Sequence, residues 1–193
     1  MAGNAVLVVG AVIAAGIVID YGVRAIKPAF TSTSSTSSSS TPATAAPAIG
    51  SQSTGLAGAD AMLAAATAAS AANAVIPYST SVNTTGLLAG FRSDCSGFVS
   101  WVVSHADPSF GDQTTDTIPS TPGVSAGAGQ YVTLWDRPQA GAAGHVIIEI
   151  LGQWFESGGD TNTTSSGGPT EISQAQAETE IQGGMSAYHL AGM

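Results

Sequence analysis

The sequence predicts an α+β domain standing behind an N-terminal hydrophobic helix and a Ser/Thr-rich linker. Three observations carry this. Residues 1–19 hold no charged side chain, and Ala5 to Ile19 is almost wholly apolar. Residues 31–54 are dominated by Ser, Thr, Ala and Pro, a composition that cannot bury enough apolar surface to fold alone. Beyond them, helical periodicity comes first and strand patterns follow, the order of an α+β domain rather than of alternating βαβ units. The expected divisions are therefore a hydrophobic helix (1–28), a linker (29–55) and a domain (56–193).

The apolar run continues through Asp20-Tyr21-Gly22-Val23 and approaches the ~20 residues that span a bilayer. A secretory signal would carry a positive n-region and a nearby small-residue cleavage site, and neither is present. Arg24 and Lys27 follow the run and would hold the next domain on the cytoplasmic side. Gly10 and Ala14 lie one turn apart and permit close helix–helix packing. Residues 4–23 thus read as an anchor in a membrane or a hydrophobic protein assembly, with self-association through this helix as one outcome. Pro28 ends it.

Leu56 to Val75 is alanine-rich and reads as a tightly packed helix, ended by Ile76-Pro77-Tyr78. Residues 79–93 form a polar loop. The next helix starts at Cys95, the only cysteine of the chain. Asp94 is a suitable N-cap. Phe98, Val99, Val102 and Val103 recur at helical spacing, and Asp107-Pro108 stops the pattern. A long irregular stretch follows, containing Ile118-Pro119-Ser120-Thr121-Pro122. Gln130 to Trp135 reads as a strand, Asp136 to Gly141 as a turn, and Val146 to Leu151, opened by Gly144-His145, as the strongest strand. A turn at Gly152-Gln153 leads to the strand Trp154 to Ser157. Gly158 to Pro169 reads as a flexible loop, Thr170 to Ile181 as a short helix capped by Thr170 or Ser173, and Tyr188-His189-Leu190 as the closing tail.

Composition narrows the function. Thirteen acidic residues against four basic ones give a net charge of −9, and past Lys27 only Arg92 and Arg137 are basic. Phosphate neutralisation, and with it nucleic-acid binding, is excluded on that ground. One cysteine allows no intrachain disulfide. The single cysteine and scattered histidines show no metal-ligand spacing, so neither metal nor cofactor is expected.

A solitary cysteine is commonly an inert buried residue. Cys95, however, lies at the positive end of a helix dipole, which favours thiolate. A cysteine nucleophile needs a base and a group that orients the base. His105 sits at the far end of the same helix, about 15 Å away at 1.5 Å rise per residue, too far to serve. His189 in the tail reads as surface or packing. His145, opening an apolar strand beside Gly144, is the candidate base. Two acidic residues, Glu156 and Asp160, stand on and just after the strand that follows. A turn centred on Gly152-Gln153 would pair Glu156 with Glu149 and set Asp160 opposite His145, whereas bringing Glu156 beside His145 requires a turn shifted toward Ile150-Leu151.

Asp94-Cys95-Ser96-Gly97-Phe98-Val99 resembles the nucleophile motif of the NlpC/P60 cell-wall peptidases, which are papain-like cysteine enzymes. Gly144-His145-Val146-Ile147-Ile148 is similar to that family's histidine strand, Pro77-Tyr78 to its Pro-Tyr pair, and Ile118-Pro119-Ser120-Thr121 to its Leu-Pro-Arg-Thr segment. The likeness runs in order through residues 76–160. The chain departs from the family in the longer Ser79 to Gly90 loop. The resemblance implies a papain-like domain in which Cys95, His145 and Glu156 are catalytic, with Tyr78, Asp94 and Ser96 at the substrate and oxyanion side. It implies a peptidoglycan stem peptide as substrate and amide hydrolysis as reaction. Combined with the N-terminal helix, it leads to a thiol-dependent peptidoglycan hydrolase that is virion-associated, opening the wall during phage genome entry, or membrane-anchored in a bacterium. The rival expectation is a structural virion or membrane protein whose papain-like domain is inactive.

Overall fold

The computed structural model describes residues 55–139, 144–159 and 162–193. The expected N-terminal helix, the linker up to residue 54, the end of the Asp136–Gly141 turn and Asp160 lie outside the described residues. Among the described residues no helix is long and apolar enough to cross a membrane.

Among the described residues, three α-helices and a six-stranded antiparallel sheet make an α+β architecture. Helix α1 (Gly55–Ala71) buries Ala59, Met62, Ala66 and Ala69, an i, i+3, i+4 stripe of small residues that brings it close to its neighbours. It packs on α2 (Cys95–Ser104) and on the sheet. The sheet comprises β1 (Val124–Ala126), β2 (Val132–Arg137), β3 (His145–Ile150), β4 (Gln153–Glu156), β5 (Thr170–Ile172) and β6 (Ser186–Leu190), ordered β1-β6-β2-β3-β4-β5. Helix α3 (Gln174–Gln182) connects β5 to β6.

Strand alternation sorts the sheet into two faces. Val132, Leu134, Val146, Ile148, Ile150 and Phe155 form the main core with Met62, Phe98, Val99 and Val102 of α1 and α2. Ile147, Trp154 and Ile172 pack with Ala177 of α3 on a second, smaller cluster, joined by Trp135 and Ile181. One layer of sheet thus lies between α1/α2 and α3.

Four expectations are corrected. The hairpin turn falls at Leu151-Gly152 rather than Gly152-Gln153, because both central residues have positive φ (52° and 79°) and Gln153 already pairs with Ile150. A two-residue turn of this kind requires φ > 0 at both positions, and leucine supplies it here against its own preference. Thr170 to Ile181 is not one helix: Thr170–Ile172 is the edge strand β5, and α3 begins after Ser173, whose hydroxyl and Gln176 close a reciprocal capping box. The described part of the Gly158–Pro169 loop is tied down rather than free, through Gly158 N–H to the Gly167 carbonyl (2.8 Å) and Tyr78 N–H to the Ser166 carbonyl (3.1 Å). The tail is also a strand, β6, inserted between β1 and β2.

Candidate active site

Cys95 is the first residue of α2, and its placement follows from the local chain. The Asp94 carboxylate accepts the Gly97 N–H at 2.8 Å and so caps the helix. Its second oxygen takes the Arg92 guanidinium at 2.9 Å, and Arg92 in turn holds Asp112 at 3.0 Å and the Gln113 carbonyl. Gly97 is required by contact: a β-carbon there would stand 2.5 Å from both the carbonyl oxygen and Cβ of Arg92. The first-turn N–H groups of α2 have no intrahelical acceptors and point out of the helix end beside the thiol.

His145 opens β3 and Glu156 ends β4. The observed β3–β4 register (Ile148↔Phe155, Glu149↔Trp154), continued by one pair, sets Glu156 level with Ile147, two residues from His145 on the same face. Diagonal neighbours of this kind lie within reach of long side chains. His145 Nε2 and Glu156 Oε2 are 3.2 Å apart, with both residues buried. The Cys95 thiol lies near enough to the His145 imidazole to act on its protonation. Burial opposes the imidazolium, but the hydrogen bonds to Cys95 and Glu156 and their charges outweigh it, pushing the His145 pKa from 6.5 up to about 9. His145 and Glu156 are thus brought into contact, with Cys95 beside the imidazole.

A cleft of about 340 Å³ opens over Cys95, lined by Tyr78, Arg92, Asp94, Ser96, Asp116 and Gly144 among others. Tyr78 is exposed there, at 44% of its surface. Burial, then the charges of Cys95 and Asp94, push its hydroxyl pKa up, so it stays a hydrogen-bond donor. The Ser96 hydroxyl is engaged by Arg92 (3.3 Å) and Asp94 (3.5 Å), a contact that steadies the Arg92–Asp94 pair at the cleft wall. Gly144 admits the Thr115 hydroxyl, which would stand 2.4 Å from a β-carbon.

The other histidines are elsewhere. His105 caps the far end of α2 and donates from Nδ1 to the Trp101 carbonyl at 2.9 Å. His189 lies on β6 and bonds the Gly127 carbonyl at 3.0 Å.

Sequence reasoning missed four residues of this region. Ser157 donates to the Ser93 carbonyl at 2.6 Å, and Ser93 donates to the Pro77 carbonyl at 2.7 Å, so two buried serines join β4, the α2 entrance and the Tyr78 segment. Glu180 of α3 is buried, and its carboxylate comes within 4.8 Å of the ligand-capable atoms of both His145 and Glu156. Its signal was a charged residue on the Ala177/Ile181 apolar stripe. Asp136 on β2 is wholly buried, and among the described residues neither carboxylate oxygen has a hydrogen-bond partner. Burial pushes its pKa from 3.8 up to about 7, with Asp116 adding to the rise and His145 opposing it.

No protein-family model matches the chain, and no curated protein or solved structure matches it.

Proposed function

We propose that this chain is a papain-like cysteine hydrolase of the NlpC/P60 type that cleaves an amide bond of the peptidoglycan stem peptide. The observation that carries the reading is the position of His145, 3.2 Å from a fully buried carboxylate and near enough to the sole cysteine, at a helix N-terminus, for the thiol to act on its protonation. A merely structural cysteine has no use for that arrangement.

In the reaction, the Cys95 thiolate attacks the amide carbonyl carbon, and the carbonyl electrons move to oxygen. The free N–H groups at the start of α2, with the Tyr78 hydroxyl, stabilise that oxyanion. The intermediate collapses with transfer of the His145 proton to the leaving amine, leaving a thioester on Cys95. His145 then takes a proton from water as it attacks the thioester and returns it to the departing thiolate. Glu156 holds the imidazole and stabilises its cationic form. The cleft beside Cys95 is polar and bears both an arginine and carboxylates, which suits a substrate carrying amide, amine and carboxylate groups. The apolar residues 4–23 suit a domain carried by a virion or anchored in a membrane at the cell wall.

Zymography on purified peptidoglycan tests the proposal. Clearing by the full-length protein, lost in Cys95→Ala, is the expected result. No clearing and no release of stem-peptide amines from a folded protein would favour the structural virion or membrane component instead.

A further inference from the structure

We propose that His145, Glu156 and Glu180 form a binding site for a zinc-class divalent cation, which takes the place of the proton between His145 and Glu156. The ion site goes beyond the hydrolytic reading and does not depend on it; only the effect of the ion on activity rests on that reading.

The three side chains come from β3, β4 and α3 and are 5%, 0% and 5% exposed. They offer one imidazole nitrogen and two carboxylates, and their ligand-capable atoms all lie within 4.8 Å of one another. This nitrogen-plus-oxygen set suits zinc and its divalent neighbours and not the soft copper(I) ion. The spacing agrees. Two ligands each ~2.0–2.1 Å from a tetrahedral zinc stand roughly 3.3 Å apart, and His145 Nε2 and Glu156 Oε2 are 3.2 Å apart. Glu180 closes the set by rotating its terminal torsions, which are soft.

The surroundings are consistent with an ion. Gly159 keeps the flank of the pair clear, since a β-carbon there would stand 2.5 Å from Glu156 Oε2 and 2.7 Å from His145 Nε2. His145, Glu156 and Glu180 meet on one face of the sheet, each of them buried. A cation bound there through Nε2 fixes the ring and removes its proton, so metal occupancy holds the Cys95–His145 pair in an inactive form.

The test uses tag-free full-length protein in detergent, dialysed against Zn²⁺ and, separately, Co²⁺. One Zn²⁺ per chain is expected, with affinity kept within about threefold in Cys95→Ala and weakened at least tenfold in Glu180→Gln. The Co²⁺ complex is expected to show tetrahedral d–d bands without a thiolate-to-cobalt charge-transfer band. That spectrum is read on the wild type, so it decides even if the Glu180 variant fails to fold. Binding lost in Cys95→Ala, a thiolate band, binding retained in folded Glu180→Gln, or no stoichiometric Zn²⁺ would each overturn the site. None of these readouts requires hydrolysis, so an inactive protein in the zymogram leaves the metal test intact.

Discussion

Replacing Glu156 by Gln keeps the shape of a fully buried side chain and removes its charge from beside His145. The rise of the His145 pKa from 6.5 to about 9 corresponds to about 3 kcal/mol favouring the imidazolium, after burial has been overcome. Glu156 supplies one of the two hydrogen bonds and one of the two charges behind that rise. An opposite charge at this range is worth roughly 1–3 pKa units. The alkaline limb of kcat/KM is therefore expected near pH 9 in the wild type and about 1–2 units lower in Glu156→Gln. With the tautomer less firmly held, kcat/KM is expected to fall about 10²-fold at pH 7, short of the ~10⁴ that losing a serine-protease aspartate causes. Stability gives an independent check. A histidine whose folded pKa exceeds its unfolded value stabilises the fold below pH 6.5, and that contribution is lost as pH rises through about 9. Urea denaturation at pH 6 and pH 9.5 is therefore expected to show a smaller pH-dependent loss in the variant than in the wild type. An unmoved alkaline limb together with an unchanged difference in stability would refute Glu156 as the group that charges His145.

Three further outcomes are expected. Cys95→Ala abolishes hydrolysis while the protein stays folded, and wild-type Cys95 reacts with iodoacetamide at pH 6.5 faster than glutathione does; a rate no faster than glutathione would remove the nucleophile assignment. Gly159→Ala combines a φ of +88° with a β-carbon driven to 2.5 Å from Glu156 Oε2, so kcat/KM falls more than tenfold while stability drops by about 1–3 kcal/mol, and full activity would contradict the placement of that loop. Asp136→Asn removes a group whose folded pKa of about 7 exceeds its ordinary 3.8; ionising it costs up to about 4 kcal/mol between pH 4 and 7, so the variant gains stability relative to wild type at pH 8 and not at pH 4, as thermal melts at the two pH values will show.

The legible parts of this chain were those fixed by local chemistry. Asp94 before Phe98, Val99, Val102 and Val103 announced α2, and the capping that places Cys95 at its first turn is local as well. The apolar run after His145 announced β3. What the sequence hid was set by long-range pairing or by a residue acting against its preference. Leu151 at φ 52° carries no turn signature, so the hairpin was read one residue late. Strands β1 and β5 are three residues each and take their hydrogen bonds from β6 and β4, with little alternation of their own. Glu180 reaches His145 only because α3 lies across the sheet face on which His145 and Glu156 project. No spacing along the chain encodes that meeting.

The register of the hairpin and the position of α2 are separate facts, and the site needs both. The register decides that Glu156 shares a face with His145, but by itself it leaves the thiol unplaced. The Ser157–Ser93 hydrogen bond supplies the missing constraint, because it joins the residue after Glu156 to the residue before Asp94. Ser93 is bound again to Pro77 and, through its backbone N–H, to the Ser79 carbonyl at 3.1 Å, which carries Tyr78 to the same place. Buried hydrogen bonds of this kind are expensive to break one at a time, since each broken partner is left unsatisfied. Cys95, the His145–Glu156 pair and the cleft tyrosine are consequently positioned by one connected set of bonds, which ties the start of α2 to the end of β4.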